Sequence, residues 1–144
     1  MSILAFASGN RTYQVNEKVC ITFNPAAQQF AHSLMDMMDT CTKAAQEADT
    51  AKKRVEKDRK AVYEISVELD KKISEEIDAL FGTGVAAALF PWGPATAWGD
   101  GLPEWVNFCL AVMDEILTDT ETQHSQTDPR LEKYMEKYKR YERK

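Results

Sequence analysis

Between Pro25 and Gly82 the chain contains neither glycine nor proline. Asn24-Pro25 opens the stretch with an Asn cap and a proline at the first helical position, both strong helix-start signals. Apolar or small residues then fall at Phe30, Leu34, Met37, Cys41, Ala44, Ala48, Ala51 and Val55, and again at Val62, Ile65 and Leu69. The steps alternate four and three, which is a heptad seam interrupted once at Asp58. After Leu69 the seam moves to Ile73, Ile77 and Leu80, an added four-residue step that locally unwinds a supercoil. An unbroken helix over 25–81 would be about 85 Å long at 1.5 Å per residue. A compact domain of 144 residues cannot hold a rod of that length. The stretch therefore predicts a projecting coiled-coil arm, or a helical hairpin broken near Asp49-Thr50, where the alanine seam is thinnest. Either way the seam needs a second helix, from this chain or from another copy, and a homo-oligomer is expected.

What flanks the arm sets the fold class. Residues 2–23 read as two or three short antiparallel strands: Ile3, Leu4 and Phe6 before the turn signal Ser8-Gly9-Asn10, then Thr12 to Val15, then Val19, Ile21 and Phe23. Residues 82–102 form a Gly/Pro/Trp connector with one helical turn at residues 85–89. Pro103-Glu104-Trp105 opens a helix over 103–117, with Trp105, Phe108, Cys109, Val112, Met113 and Ile116 at helical spacing. A polar linker runs to Thr127, and Asp128-Pro129 starts a basic amphipathic helix over 128–144 with Leu131, Tyr134, Tyr138 and Tyr141 in one stripe. The expectation is one domain, mainly α with a small N-terminal antiparallel β segment, in the α+β class.

Chemistry is hard to find in this chain. The three cysteines, Cys20, Cys41 and Cys109, are widely separated and form no CxxC pair, which argues against a zinc site or a dithiol centre. His32 and Asp36 share a helix face, but two potential ligands do not make a metal site. Phe81-Gly82-Thr83-Gly84 has the look of a phosphate cradle, yet no strand precedes it and no Gly-Lys-Ser/Thr follows. It reads as a helix stop, with Gly82 or Gly84 in the left-handed conformation. No catalytic, metal or cofactor residues are assigned, and no enzymatic activity is expected.

Charge narrows the partners. The net charge is −5, yet residues 128–144 carry seven Lys/Arg against four Asp/Glu, so the body is strongly acidic. An acidic body argues against nucleic acid, which needs a concentrated basic face. The run from Lys52 to Lys60 is interrupted by Glu56 and Asp58 and carries no aromatic for base stacking. No apolar run approaches the roughly 20 residues of a membrane span. The N-terminus lacks the basic and apolar regions of a signal peptide, so a cytoplasmic protein is expected. What remains is apolar surface on a turn-rich connector: Phe81, Phe90, Trp92, Trp98 and Trp105, joined by Tyr134, Tyr138 and Tyr141 of the tail, are the candidate protein-binding residues.

Several short motifs resemble those of the tail assembly chaperones of siphophages and prophages of Gram-positive bacteria, encoded upstream of the tape measure. Phe23-Asn24-Pro25 is similar to their helix start after a strand segment. Asp78-Ala79-Leu80-Phe81-Gly82-Thr83-Gly84 and Leu89-Phe90 resemble their acidic-x-Leu-Phe-Gly-x-Gly and Leu-Phe motifs. Trp105-Val106-Asn107-Phe108 resembles their aromatic-rich helix start, and Lys137-Tyr138-Lys139-Arg140-Tyr141 their basic tail. The family's second phenylalanine is commonly followed by Gly-Asp, whereas Pro91-Trp92-Gly93 follows here and Gly99-Asp100 comes later, so the connector is rebuilt. The resemblance implies a non-enzymatic role in the bacterial host cell: coating the tape-measure helix and delivering tail-tube subunits. Two alternatives stand beside it, a small secreted WxG-like helical protein and a generic coiled-coil oligomerisation module.

Overall fold

The computed structural model describes residues 2–17, 19–91, 94–99 and 101–125, the last six of these by their backbone alone. Eight elements follow one another: β1 (Arg11–Val15), β2 (Val19–Phe23), α1 (Gln28–Arg54), α2 (Arg59–Phe81), α3 (Val85–Leu89), β3 (Trp98–Gly99), β4 (Leu102–Pro103) and α4 (Glu104–Ser125). The protein is mainly helical, with a small antiparallel sheet near its N-terminus, as the sequence predicts.

β1 and β2 pair antiparallel in the register Arg11↔Phe23 to Val15↔Val19. Their turn is led by Asn16 and Glu17, both at positive φ (50° and 62°). Alternation then separates the faces. Ile21 and Phe23 are buried with Tyr13 and Val15 packed beside them, while Thr12 and Thr22 share a hydroxyl hydrogen bond of 2.8 Å on the exposed face. Of the two or three strands expected over residues 2–23, two form. Ile3, Leu4 and Phe6 belong to none of the described strands and are 92%, 89% and 82% exposed.

The stretch 25–81 is not one helix. Asn24 does cap a turn, its Oδ1 accepting the Ala26 N–H at 2.9 Å, but the regular helix begins at Gln28. α1 stops at Arg54, and the chain reverses through residues 55–58, closed by the Asp58 N–H donating to the Val55 carbonyl at 2.8 Å. Asp58, which interrupts the seam, is the N-cap of α2, its carboxylate accepting from the Ala61 N–H at 3.3 Å. An Asp in a cap position competes with helix continuation because its side chain satisfies orphan N–H groups of the next helix. The hairpin is thus the correct alternative, with the break six or more residues later than Asp49-Thr50. Lys52, Lys53 and Arg54 end α1, where cations meet the negative end of the helix dipole.

The folded-back seam buries Leu34, Met37 and Cys41 of α1 with Ile73 and Ile77 of α2, all at 4% exposure or less. α4 closes this core with Trp105, Phe108, Cys109, Val112 and Ile116. It also outruns its expected end at residue 117, absorbing the predicted linker as helix to Ser125. No glycine or proline interrupts those residues, and Asp119, 2% exposed, is held 2.7 Å from Arg11 Nη1 of β1. One turn earlier on α4, Glu115 accepts the Tyr13 hydroxyl at 3.0 Å. Arg11 and Tyr13 lie two apart on a strand, and Glu115 and Asp119 four apart on a helix, so each pair shares a face. Together they pin the β hairpin onto α4. The predicted helix over 128–144 lies outside the described residues.

Candidate interaction surface

The glycine motif is built around a carboxylate. α2 closes with the Gly82 N–H on the Asp78 carbonyl at 2.8 Å, and Gly82 then takes φ 125°, ψ 151°. Gly84, at φ 86° and ψ −5°, is the left-handed N-cap of α3. The N–H groups of Gly84 and Ala86 both donate to the Asp78 carboxylate, at 3.1 and 2.8 Å. The orphan donors of a helix start attract an anion, and here the anion is the chain's own. Two turns earlier on α2, Asp70 Oδ1 accepts the Ala95 N–H at 2.6 Å. The Ala95 carbonyl in turn accepts from Trp105 N–H at 3.0 Å, and Asn107 Nδ2 donates to the Gly99 carbonyl at 2.7 Å. The connector is therefore strapped across α2 and the start of α4 at both ends.

The candidate binding residues divide accordingly. Phe81 is the hub of an aromatic cluster, with its centroid 6.2 Å from Phe23, 5.8 Å from Phe30 and 5.1 Å from Phe108, all edge-on. Trp105 is 4% exposed. These two are spent on the chain's own core. Phe90 is half-buried and lines a depression of about 340 Å³ with Leu89, Gly99, Glu104 and Asn107. Trp98, next to Gly99, is 72% exposed. Trp92, Tyr134, Tyr138 and Tyr141 lie outside the described residues.

Two further concavities bear on partner binding. A depression of about 260 Å³ runs between the inner face of the β1–β2 hairpin (residues 13–16 with Ile21 and Phe23) and α4, where Phe108, Ala111 and Val112 line it. It shares Val15, Asn16, Phe108 and Ala111 with the Phe90 depression, so the two form one trough. The other concavity, about 430 Å³, lies between α1 and α2 toward their turn. Ala44, Ala48, Val55, Ala61, Ile65 and Leu69 make its apolar floor, and Glu47, Glu64, Glu68 and Lys72 its rim. The thin alanine seam leaves this space, because small side chains cannot fill the gap that Leu34, Met37 and Ile77 fill at the base.

The buried thiols are poor nucleophiles. Desolvation pushes the Cys41 thiol up to about 11 and Cys109 up to about 12, since burial disfavours a thiolate. Tyr13 is raised too, first by burial and then by its hydrogen bond to Glu115. His32 and Asp36 meet at 3.4 Å on an exposed helix face, as their spacing implies. Among the described residues no group of three or more His, Cys, Asp or Glu is placed to hold a metal ion, and no helix is long and apolar enough to cross a membrane.

Sequence reasoning missed the straps. Asp70 and Asp78 carry the connector, yet both read as ordinary charges on a helix face. Asp70 and Asp78 flank the Ile73–Ile77 stripe of α2, a position that the helical spacing alone does not mark as a strap. Comparison with protein-family profiles, curated proteins and solved structures finds no match to this chain.

Proposed function

We infer that this chain is a non-enzymatic tail-assembly chaperone of a phage or prophage, acting in the bacterial host cell and binding the tape-measure and tail-tube proteins. The observation that carries the reading is the Asp78-Ala79-Leu80-Phe81-Gly82-Thr83-Gly84 motif, together with Leu89-Phe90. Each of its distinctive residues has a structural task in seating the connector, with the carboxylate capping α3, the two glycines at positive φ and Phe81 at the aromatic hub. The resemblance therefore falls on residues that shape a surface, which is the chemistry a chaperone needs.

The groove between α1 and α2 suits the partner. A tape-measure segment would be a helix with an apolar stripe, and the alanine-floored gap accepts one as the third member of a bundle. Glu47, Glu64 and Glu68 on the rim favour a helix whose stripe is flanked by Lys or Arg. Exposed Trp98 adds a second apolar contact on the connector.

The test is co-expression with the tape-measure and tube proteins encoded beside this chain, followed by capture on a tag. The expected result is a soluble complex with at least one of them. Ala61→Glu, on the groove floor, should reduce capture at least tenfold while thermal stability stays near wild type, whereas retention of neither protein by the wild-type chain would overturn the reading. The secreted WxG-like alternative gains nothing from the hairpin, because its turn at residues 55–58 carries no tryptophan.

A further inference from the structure

The segment 2–8 and the trough beside β1 are two halves of one contact. Ile, Leu and Phe side chains in the core are at most 8% exposed, yet Ile3, Leu4 and Phe6 stand at 82% or more. Three large apolar side chains within four residues make an exposed patch that calls for cover. In an extended chain Leu4 and Phe6 fall on one face, with Ile3, Ala5 and Ala7 on the other.

β1 has a free edge to receive them. Among the described residues it pairs with β2 and with no other strand, so one side of its backbone is open to strand addition. The trough of about 260 Å³ lies beneath the inner face of the hairpin, lined by residues 13–16 and by Ile21 and Phe23 of β2, above Phe108, Ala111 and Val112. β1 is the outer strand over that apolar floor, so a strand added to its edge would carry its inward side chains beside the trough.

The segment does not cover this edge in its own chain. Arg11 pairs with Phe23, so the residues before Arg11 run on past the end of β2. Gly9 packs there against Asn24, so closely that a Cβ on Gly9 would stand 2.7 Å from Asn24 Oδ1. The close fit places the chain before Arg11 at the end of β1 opposite the hairpin turn, and none of residues 2–8 lines the trough.

We propose that residues 2–8 of one copy add as a strand to the free edge of β1 in a second copy, placing Leu4 and Phe6 in the trough over Phe108 and Ala111. The exchange is reciprocal, since each copy carries both a segment and a trough, and it closes into a symmetric assembly. The proposal stands independently of the tail-assembly reading, because it concerns only contacts between copies of this chain.

Two variants separate donor from acceptor. A chain lacking residues 2–7 keeps the trough and loses the segment. Ala111→Glu keeps the segment and blocks the trough, and Ala111 is an exposed helical position where glutamate does not disturb folding. Light scattering should give an oligomer for the wild type and a particle near the 16.3 kDa chain mass for each variant alone. Circular dichroism should show unchanged helix content. Mixing the two variants should restore a one-to-one complex at least tenfold tighter than either variant's self-association. A monomeric wild type, assembly that survives loss of residues 2–7, or variants that fail to complement would each overturn the proposal.

Discussion

Replacing Asp78 with alanine removes the acceptor for two backbone N–H groups at once, and the size of the loss can be worked out from their surroundings. The Ala86 N–H, bound at 2.8 Å in a part-buried position, would be left without a partner in a turn packed on the core. A buried hydrogen bond to a charged group contributes about 1.5 kcal/mol at the lower end of its range. The Gly84 N–H, bound at 3.1 Å, is exposed and water replaces the carboxylate there, so its share is about 0.5 kcal/mol. Helix dipoles add little, because the carboxylate sits at the negative end of α2 and the positive start of α3, and the two terms offset. The total is about 2 kcal/mol, which for a chain of this size is a fall of roughly 6 °C in melting temperature. Asp78→Asn keeps one carbonyl acceptor and should lose about half as much. Glu75→Ala removes the same charge from an exposed position one turn away and should change stability by less than about 0.5 kcal/mol. Thermal unfolding by circular dichroism gives the three values, and hydrogen exchange should show faster exchange at Ala86 in Asp78→Ala alone. If Asp78→Ala melts within 1 °C of wild type, or Glu75→Ala falls equally, the carboxylate does not hold the connector and the account of the motif fails.

Two further outcomes follow from the core. Phe81→Ala should cost about 3 kcal/mol, the low end for a phenylalanine because the ring is only partly buried, and Phe81→Leu about 1 kcal/mol; denaturant midpoints at constant slope measure both, and losses under 1 kcal/mol for alanine would remove Phe81 from the hub. A chromogenic disulfide at pH 8 should titrate Cys20 quickly and Cys41 and Cys109 only on unfolding, since the last two are raised to about 11 and 12 from an ordinary 9.0. Their folded values lie above the unfolded one, so the stability they contribute is complete below pH 9 and is lost as pH rises through 11 to 12, and three equally fast thiols would contradict that burial.

The parts of this fold that were legible in the sequence are those set by periodicity and local chemistry. The alternation around Ile21 and Phe23 fixed the hairpin's inner face, and the four-three steps at Phe30, Leu34, Met37 and Cys41 fixed the buried stripe of α1. Asp58 was visible as a break in the seam. Reading it as the cap of a new helix required knowing that the chain reverses there, and reversal is decided by what the two halves bury. Leu34, Met37 and Cys41 find Ile73 and Ile77 within the same chain, so the base of the seam is satisfied without a second copy. That result changes the basis for expecting oligomers. The seam can no longer supply the contact along its whole length, and only its alanine end stays open.

The same logic explains the other misses. Residues 118–125 looked like a linker because they lack an apolar stripe, but Asp119 is bound to Arg11 of β1, and a tertiary ion pair of that kind leaves no periodic trace. Residues 3–6 looked like a strand because they are apolar and extended-prone, yet no strand among the described residues pairs with them. Strand propensity expresses how well a side chain fits a half-buried pleated surface, so it predicts a strand only where a neighbour is offered. Gly9 stands against Asn24, beyond the last β1–β2 pair, and among the described residues the outer edge of β1 has no strand partner.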